Sequence, residues 1–472
     1  MEIIGRKSEQ ELLRSYYEAN EPEFLVVYGR RRVGKTYLIR EFFDDDFCFF
    51  VTGLANGNKS EQLANFNKAL NEYGKEEFSV ADNWLEAFAQ LKNLIKTSSI
   101  QNKKVIFLDE MPWMDTHKSG FITGLEAFWN GWASGRPDIL LIVCGSAAAW
   151  VSKKLFKNTG GLYNRVTQRM LIRPFTLGEC ERYFNARDIV YSRLQMVESY
   201  MIFGGIPFYL RQMRKELSFA QNVDRLCFAD NAPLKNEFYE MYHSLFRRPQ
   251  HYIQVVEAIG SLGRGLSTGE ISHATKLSGG GLSAILENLE LSGFIRRYQS
   301  YGKTERDALY QLIDPFSLFY LRFMKGSHVA RDEDFWANTE STGEKNSWKG
   351  YAFERVCLAH VAQIKRKLGI SGVSTSVYSW LKTDSEPRFQ IDLVIERRDG
   401  VFNICEMKYS IKEYELTESS SEKLRKRLWV FSDVVGENKA VHTTFVTTYG
   451  LKHNKYWAEL VQSEVTMADL FT

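Results

Sequence analysis

One short stretch of the sequence carries residues whose types and spacing suit the binding of phosphate groups. "GRRRVGKT" follows the pattern G-x-x-x-x-G-K-[ST], with a strand-like run before it and a helical run after it. In this pattern the glycines let backbone N–H groups wrap the phosphates, while Lys35 reaches the β- and γ-phosphates and the Thr36 hydroxyl holds Mg²⁺. The stretch therefore predicts a nucleotide-binding loop rather than a basic turn. Its predicted binding residues are Gly29, Arg30, Arg31, Arg32, Val33, Gly34, Lys35 and Thr36.

A second stretch, "KKVIFLDE", reads as a hydrophobic strand that ends in Asp109 and Glu110. Two acids at the end of a buried strand are typical of the Walker B pattern. There Asp109 would hold Mg²⁺ through water, and Glu110 would orient and activate the water that attacks the γ-phosphate. The simpler alternative is a strand that ends in solvated acids, and the phosphate loop upstream favours the catalytic interpretation.

Two further polar residues follow the next strand. Ser146 ends "LLIVCGS", where a polar side chain would contact the γ-phosphate or the attacking water; a plain turn serine is the alternative. Arg165 lies in "LYNR" and could supply positive charge to the transition state, a role worth about 10³–10⁵ in rate. A solvated surface arginine is the alternative there, and the sequence leaves both choices open.

A separate set of residues lies near the C-terminus, in "FQIDLVIERRDGVFNICEMKYS". It reads as two strands joined by an Asp-Gly turn, and alternation puts Asp392, Glu406 and Lys408 on equivalent faces. With Glu354 of the preceding helix "GYAFERV", these residues fit the PD-(D/E)xK nuclease pattern. Asp392 and Glu406 would be ligands of Mg²⁺, and Lys408 would position a water molecule. The alternative is an Asp and a Glu–Lys pair on a solvated sheet face.

The pattern of elements predicts an α/β chain with several domains. Buried-strand runs alternate with helices in the first part, which favours a parallel sheet covered on both faces. We expect a P-loop ATPase domain with a helical lid at 1–240, a winged helix-turn-helix at 245–325, a polar linker at 326–346, and a restriction-endonuclease-like domain at 347–472.

The charges of the predicted winged helix do not resemble those of a typical DNA reader. Its expected recognition helix, "GLSAILENLELSGF", carries Glu287 and Glu290 and no Lys or Arg. Phosphate contacts need cations, and base readout favours Arg, Lys, Asn and Gln. Both DNA binding and a protein-packing role remain open. The basic residues of the wing are Arg296, Arg297, Lys303 and Arg306.

The bulk composition is that of an ordinary folded protein. The chain has 472 residues, a net charge of +3, 44% hydrophobic residues and 25% charged residues, so no overall basic field indicates nucleic acid. No signal peptide and no membrane-length apolar run is found, and the six cysteines contain no C-x-x-C pair. These features predict a cytoplasmic location, no membrane partner, and neither zinc nor a disulfide framework.

Taken in order, "IGRKSEQELL", "GRRRVGKT", "FLDE", "CGS", "LYNR" and "GGIPFYL" resemble the archaeal-type ATPase family. This is a branch of P-loop ATPases that is related to the signal-transducing STAND group and more loosely to AAA+ proteins, and it also occurs in bacteria. The resemblance implies that "GGIP" closes over the nucleotide, with Gly205 and Pro207 as adenine-side contacts. It also implies an arginine finger at Arg165, although the Gly-Arg common in the family is Asn164-Arg165 here.

These observations lead to one functional hypothesis with an alternative. We expect an ATP-binding and ATP-hydrolysing switch, with ATP and Mg²⁺ as cofactors, that controls a Mg²⁺-dependent nuclease-like domain acting on DNA or RNA. The alternative is a STAND-like regulator whose winged-helix and nuclease-like domains only bind partners or DNA. The sequence leaves open whether the protein forms homo-oligomers, whether it has a regulatory protein partner, and whether Arg165 acts in its own subunit.

Overall fold

The computed structural model describes residues 3–156, 160–261, 264–304, 307–326, 334–339, 343–382 and 389–472. The chain forms two compact units, Met1–Pro174 and Phe175–Thr472. Each unit has its own sheets and its own candidate site.

The first unit is built on a five-stranded sheet in which every strand pair is parallel, with the order β2-β3-β4-β1-β5. Every residue of the strand that runs through "ILLIVCG" is buried, so both faces of the sheet are covered. The near-continuous apolar runs of the sequence arise from this double covering. The predicted parallel sheet is confirmed. Its strands are β1 (Glu23–Tyr28), β2 (Phe49–Thr52), β3 (Lys104–Asp109), β4 (Ile139–Gly145) and β5 (Gln168–Leu171).

The helices of the first unit pack a hydrophobic core against this sheet, and the core contains a group of aromatic rings. Phe66, Trp84, Phe88 and Phe121 are buried and contact one another edge-on or tilted, with ring centroids 4.8–6.1 Å apart. This packing fixes the helices that surround the strand ends. They are α1 (Lys7–Glu18), α2 (Lys35–Phe42), α3 (Lys59–Tyr73), α4 (Trp84–Thr97), α5 (Met111–Met114), α6 (Phe121–Gly131) and α7 (Ala148–Val151).

The second unit begins with a group of helices. Three of them start at a Ser or Thr side chain that accepts a hydrogen bond from the third helical residue, which completes a capping box. These caps are Thr176, Ser192 and Ser218, each directly before its helix in the sequence. The helices are α8 (Leu177–Ala186), α9 (Arg193–Phe203), α10 (Pro207–Leu210), α11 (Phe219–Cys227) and α12 (Glu237–Leu245).

The next part combines four helices with a small antiparallel sheet of order β6-β8-β7. Ser267 caps the second helix by accepting a hydrogen bond from the Glu270 backbone N–H, as the Ser/Thr cap in the sequence predicts. The elements are α13 (Pro249–Ser261), β6 (Leu266–Ser267), α14 (Thr268–Thr275), α15 (Gly279–Leu291), β7 (Ile295–Tyr298), β8 (Leu309–Leu312) and α16 (Pro315–Phe319). Arg306 lies outside the described residues.

The segment predicted as a linker contains a packed element. Phe335–Asn338 form the short helix α17, because the buried Trp336 ring contacts Phe319, Phe323 and Trp348 at 5.1–5.7 Å. The Asp224 carboxylate accepts hydrogen bonds from the backbone N–H groups of Trp336 and Ala337 in this helix. Residues 327–333 and 340–342 of the predicted linker lie outside the described residues.

The C-terminal part carries a mixed five-stranded sheet of order β13-β12-β11-β10-β9. The strands β9, β10 and β11 are antiparallel, whereas β11, β12 and β13 are parallel. The predicted hairpin is present, and Gly400 at its turn has φ 85°. The elements are α18 (Gly343–Ala359), α19 (Val361–Lys367), β9 (Thr375–Lys382), β10 (Phe389–Arg397), β11 (Val401–Lys408), α20 (Glu418–Val435), β12 (Ala440–Thr447), α21 (Lys455–Leu460) and β13 (Ser463–Thr466).

Candidate functional site

The phosphate loop connects β1 to α2, and its backbone requires glycine at two positions. Gly34 is the N-cap of α2 with φ 89°, a left-handed conformation that glycine adopts without strain. Gly29 has φ 141°, and a Cβ there would lie 2.3 Å from the Ile172 carbonyl oxygen. The loop can therefore curve as it does only because these residues lack a side chain.

Lys35 lies at the centre of this loop and is buried. Its Nζ donates to the carbonyl oxygens of Gly29 (3.1 Å) and Arg30 (2.9 Å) and to Ser146 Oγ (3.0 Å). Three acceptors match the three donors of an ammonium group. The positive charge is therefore held inside the concave side of the loop, where a nucleotide phosphate would bind.

Asp109 ends β3 and is buried beside two hydroxyl groups. Its Oδ1 accepts from Thr36 Oγ1 (2.9 Å), and its Oδ2 accepts from Thr52 Oγ1 (3.3 Å). Burial and the neighbouring Glu110 carboxylate raise the pKa of Asp109. A buried carboxylate next to a threonine hydroxyl is a suitable donor set for Mg²⁺, so Thr36 and Asp109 fit the predicted metal role.

Glu110 and Ser146 are joined by two hydrogen bonds. The Ser146 backbone N–H donates to Glu110 Oε2 (3.1 Å), and Ser146 Oγ donates to Oε1 (2.5 Å). Glu110 has φ 45°, a strained conformation for a residue with a side chain. The structure therefore brings Lys35, Ser146 and Glu110 into one connected chain of polar groups.

Sequence reasoning missed Arg6 as a support of this loop. Arg6 is buried, and its guanidinium donates to the Val33 carbonyl oxygen at 3.1 Å. It also lies 3.5 Å from the Glu9 carboxylate. The available signal was the arginine in "IGRK", but nothing local to that motif indicates which segment it contacts.

The arginines assigned to the nucleotide site differ in their surroundings. Arg30 is buried, Arg31 and Arg32 are half-buried, and Arg32 has φ 70°. Arg165 is exposed, in a turn where its backbone N–H donates to the Leu162 carbonyl oxygen. Among the contacts of the described residues, none links the Arg165 side chain to Lys35 or Glu110.

Pro207 and Gly205 belong to the second unit. Pro207 is half-buried and opens α10, a position that suits proline because its missing N–H has no partner there in any case. Gly205 has φ 66°, and a Cβ there would lie 2.3 Å from the Phe175 carbonyl oxygen. This close backbone approach requires glycine at this position.

In the second unit the β10–β11 hairpin aligns two of the predicted C-terminal residues. Leu393 pairs with Cys405 and Val394 with Ile404, and the same register continued by one residue would set Asp392 opposite Glu406. Side chains at opposed positions have Cβ atoms about 4.5–5.5 Å apart. Asp392 also lies where the register between β10 and β9 is irregular, and its Oδ1 accepts from Gln390 Nε2 at 2.7 Å.

Glu406 is buried and pairs with two cations. Lys408 Nζ lies 3.5 Å from its Oε2, and Arg427 of α20 forms an ion pair with its Oε1. Met407, between the two predicted residues, is buried as well. Lys408 and Arg427 line a cleft of about 350 Å³ together with the N-terminal turns of α20.

Glu354 of α18 completes the set. Burial and the nearby Asp392 carboxylate raise its pKa to about 7, while the charges of Arg355, Lys408 and Arg296 act in the opposite direction. These interactions require that Glu354, Asp392 and Lys408 lie near one another. The structure thus gathers the four predicted residues, which come from one helix and two strands.

The donor types of this cluster suit Mg²⁺, because carboxylates from two adjacent strands supply hard oxygen ligands. In the described ranges, however, no three His, Cys, Asp or Glu side chains lie close enough together to hold a metal ion. The carboxylates instead lie beside internal cations. Of these, Arg427 and Arg355 were not predicted, because the basic run "KLRKRL" and a helix arginine look like ordinary solvated residues in the sequence.

Comparison with known proteins agrees with the geometry of the first unit. Residues 4–213 match the family described as "ATPase domain predominantly from Archaea". An uncharacterized protein of Methanocaldococcus jannaschii is 23% identical over 439 residues, which cover 92% of each chain. An uncharacterized ATP-binding protein of the same organism is 43% identical over 43 residues, which are 9% of this chain and 73% of that protein.

Two solved structures are similar at low sequence identity. The Walker-type ATPase of Pyrococcus abyssi has a TM-score of 0.49 and 20% identity, over 68% of this chain and 96% of that chain. The ORC2 protein of Aeropyrum pernix has a TM-score of 0.45 and 13% identity, over 68% of this chain and 93% of that chain. Within the described residues, no helix is both long and apolar enough to cross a membrane. On its family match, its parallel sheet and its phosphate loop, the protein contains a P-loop ATPase domain within residues 4–213 and is an ATPase.

Proposed function

We propose that the protein is an ATP-dependent switch that controls a Mg²⁺-dependent nuclease-like site acting on DNA or RNA. In this proposal the helices of the second unit up to about residue 240 act as a lid, residues 245–325 are a winged helix-turn-helix, and residues 347–472 are the nuclease-like domain. The ATPase domain supplies the nucleotide-dependent step. All six cysteines lie in the described residues, are buried and form no disulfide, which is compatible with a cytoplasmic location.

In the ATPase domain, Lys35 and the loop N–H groups bind the phosphates, and Thr36 with Asp109 would hold Mg²⁺, which neutralises charge on the β- and γ-phosphates. Glu110 orients the attacking water, and Ser146 links it to Lys35. Arg165 supplies charge to the transition state, from its own subunit or from a neighbour in a homo-oligomer. Pro207 contributes an adenine-side contact.

The single observation that carries the nuclease-like part is the register of the β10–β11 hairpin, which, continued by one residue, sets Asp392 opposite Glu406. Lys408 lies 3.5 Å from Glu406, and the charges of Asp392 and Lys408 both act on Glu354. Asp392 and Glu406 would hold Mg²⁺, which stabilises charge on a scissile phosphate and acidifies a bound water. Lys408 orients that water and offsets negative charge. Glu354 is a proton-exchanging group near the cluster.

The second candidate is a STAND-like regulator whose C-terminal part only binds a regulatory partner or DNA. The specific observation in its favour is that Glu406 lies between Arg427 and Lys408, while no three metal-ligating side chains come together in the described residues. The acidic side chains on α15 also favour protein contacts over the major groove.

A cleavage assay distinguishes the two candidates. Single- and double-stranded DNA and RNA are incubated with Mg²⁺ or Mn²⁺, with and without ATP, beside Lys35→Ala and Asp392→Ala. Asp399→Ala, which removes an exposed carboxylate at the turn of the same hairpin, is the matched control. Cleavage that is lost in Asp392→Ala and retained in Asp399→Ala supports the nuclease, and its loss in Lys35→Ala shows control by ATP. ATP hydrolysis without cleavage of any nucleic acid would contradict the nuclease proposal and favour the STAND-like regulator.

A further inference from the structure

The segment after β7 lies against the C-terminal sheet. The Tyr301 backbone N–H donates to the Ser379 carbonyl oxygen (2.8 Å), and the Ser379 N–H donates to that of Gln299 (3.3 Å). The Leu381 N–H also donates to Ser300 Oγ at 3.0 Å. Since β9 is the last strand of its sheet, residues 299–301 cover an edge that would otherwise expose unpaired backbone groups.

Side chains strengthen this docking. The Tyr301 ring contacts Tyr378 (5.6 Å), Phe402 (5.2 Å) and Phe431 (6.0 Å), all with edge or tilted geometry. Phe402 and Phe431 are fully buried members of the core under this part of the sheet. The β7–β8 hairpin is therefore anchored in the C-terminal core, which makes it a packing element on this side.

The docking brings the hairpin of Arg296 against β9, the strand next to β10, which carries Asp392. Arg296 Nε donates to Gln311 Oε1 (2.8 Å), and the guanidinium lies over the Tyr298 ring at 4.5 Å. Burial and the neighbouring charge of Arg355 lower the pKa of Arg296 to about 10, and the Asp392 carboxylate acts in the opposite direction. Arg296 therefore stays positively charged at neutral pH, and its charge interacts with the Asp392 carboxylate.

A second buried guanidinium lies beside the first. The Arg355 side chain is 2% exposed and lies 3.8 Å from the Glu354 carboxylate, and its nitrogens are buried without a hydrogen-bond acceptor within the described residues. Arg355 thus lies beside Glu354, and the charge of Arg296 acts on both Glu354 and Asp392. The positive charge that a divalent cation would bring to these carboxylates is already supplied from within the chain.

We propose that Arg296 is the internal counter-cation of the C-terminal carboxylate cluster, and that the docked β7–β8 hairpin holds the affinity of this cluster for divalent cations low. The inference rests on the proposed nuclease-like function and adds its regulation. A divalent cation beside two poorly solvated guanidiniums is repelled by both, and a buried site screens this repulsion weakly. Removal of the Arg296 charge, or withdrawal of the hairpin, opens the cluster to the metal.

The first test measures Mn²⁺ binding to the full chain by isothermal titration calorimetry. The part of the binding that Asp392→Ala abolishes defines the C-terminal site and separates it from the ATPase site. We expect Arg296→Gln to bind Mn²⁺ at this site at least tenfold more tightly than the wild type. Arg296→Lys, which keeps the charge, should stay near the wild type. Lys303→Gln, which removes an exposed charge from the same hairpin, should have no effect.

A second variant tests docking without removing a charge. Ser300 and Ser379 form a parallel bridge, and neighbouring strands lie about 4.8 Å apart, within the range that a disulfide spans. In a Ser300→Cys, Ser379→Cys protein we expect oxidation to lower the Mn²⁺ affinity of the site, and reduction to restore it. The cysteine pair replaces Arg296→Gln as the test if thermal unfolding shows that Arg296→Gln does not fold.

The outcomes separate the two proposals. Equal Mn²⁺ affinity of the wild type and a folded Arg296→Gln, with an Asp392-dependent site present in both, would overturn the counter-cation role and leave the proposed function standing. Absence of Asp392-dependent Mn²⁺ binding in every variant would overturn the proposed function, and this inference with it. Affinity unaffected by oxidation of the cysteine pair would contradict the role of docking.

Discussion

Ser146 and Glu110 are joined by two hydrogen bonds, one from the serine backbone N–H and one from its hydroxyl, at 3.1 and 2.5 Å. The same hydroxyl accepts a hydrogen bond from Lys35 Nζ at 3.0 Å. The residue that would activate water is therefore connected, through one serine, to the lysine that would bind the γ-phosphate. A phosphate that draws Lys35 away from Ser146 also changes the surroundings of Glu110.

We expect Ser146→Ala to slow ATP hydrolysis by about 10- to 100-fold, because a misplaced catalytic group and one lost polar contact cost a few kcal/mol in the transition state. Nucleotide affinity should change less, since Lys35 keeps its two carbonyl partners. Phosphate release and binding of a fluorescent ATP analogue measure the two effects. Ser99→Ala, at an exposed serine of the same unit, is the control. Equal losses in binding and hydrolysis would indicate that Ser146 only supports the loop.

The sequence predicted the phosphate loop and the acids at the end of β3 because these features are local. The residues from Gly29 to Thr36 themselves form the loop that wraps a phosphate. An apolar run such as "KVIFLD" indicates a buried strand without information from the rest of the chain. The β10–β11 hairpin was predictable for the same reason, since alternation and the turn at Gly400 set which residues share a face.

The residues that complete each site could not be predicted in this way. Arg6 contacts Val33, Arg427 contacts Glu406, and the charge of Arg296 acts on Asp392, in each case across a long stretch of chain. Packing between distant segments decides such contacts, and one arginine in a polar stretch looks like any other. The wing appeared to be a basic surface for the same reason, whereas Tyr301 anchors it to the C-terminal core.

Gly29→Ala should abolish nucleotide binding or unfold the first unit. A Cβ at this position would lie 2.3 Å from a backbone oxygen, which cannot move aside as a flexible side chain can, and φ 141° is unfavourable for alanine. Binding of a fluorescent ATP analogue and thermal unfolding check this expectation. Gly131→Ala, at the end of α6 with open space around the position, should be neutral or slightly stabilising. Normal nucleotide affinity in Gly29→Ala would show that the loop has another conformation.

Arg165→Ala should reduce the rate of ATP hydrolysis by about 10³-fold or more with little change in ATP affinity, if the arginine acts on the transition state. Arg173→Ala, at another exposed arginine of the first unit, should not reduce it. Because the Arg165 side chain is exposed, its action on a neighbouring subunit is directly testable. Mixing Arg165→Ala with Lys35→Ala should restore hydrolysis if the arginine acts on a neighbour, and should not restore it if it acts within its own subunit. A normal rate of ATP hydrolysis by Arg165→Ala alone would show that Arg165 is not an arginine finger.

His360 should make the second unit less stable in acid. The ring is buried; its Nε2 accepts a hydrogen bond from the Leu177 N–H (2.9 Å), and its Nδ1 lies 2.7 Å from the Val356 carbonyl oxygen. Burial lowers the pKa of His360 from 6.5 to about 4. The unfolded chain therefore binds a proton at His360 as the pH falls below 6.5, whereas the folded chain binds that proton only near pH 4. The stabilisation is fully present above pH 6.5 and is lost as the pH falls through 4, by about 3 kcal/mol in total.

Glu354 has the opposite effect on the pH dependence of stability. Its raised pKa of about 7 means that, as the pH falls, the folded chain binds a proton at Glu354 before the unfolded chain does. The comparison of His360→Gln with the wild type isolates the histidine, since Glu354 is common to both. Glutamine can still accept from Leu177 and does not titrate. Urea unfolding followed by tryptophan fluorescence at pH 7 and pH 4.5 should show a smaller loss of stability in His360→Gln, whereas His117→Gln, at an exposed histidine, should follow the wild type. An equal loss of stability in the wild type, His360→Gln and His117→Gln would mean that His360 is already protonated in the folded state at pH 4.5. That result would contradict the structure, because a protonated Nε2 cannot accept the hydrogen bond from the Leu177 N–H.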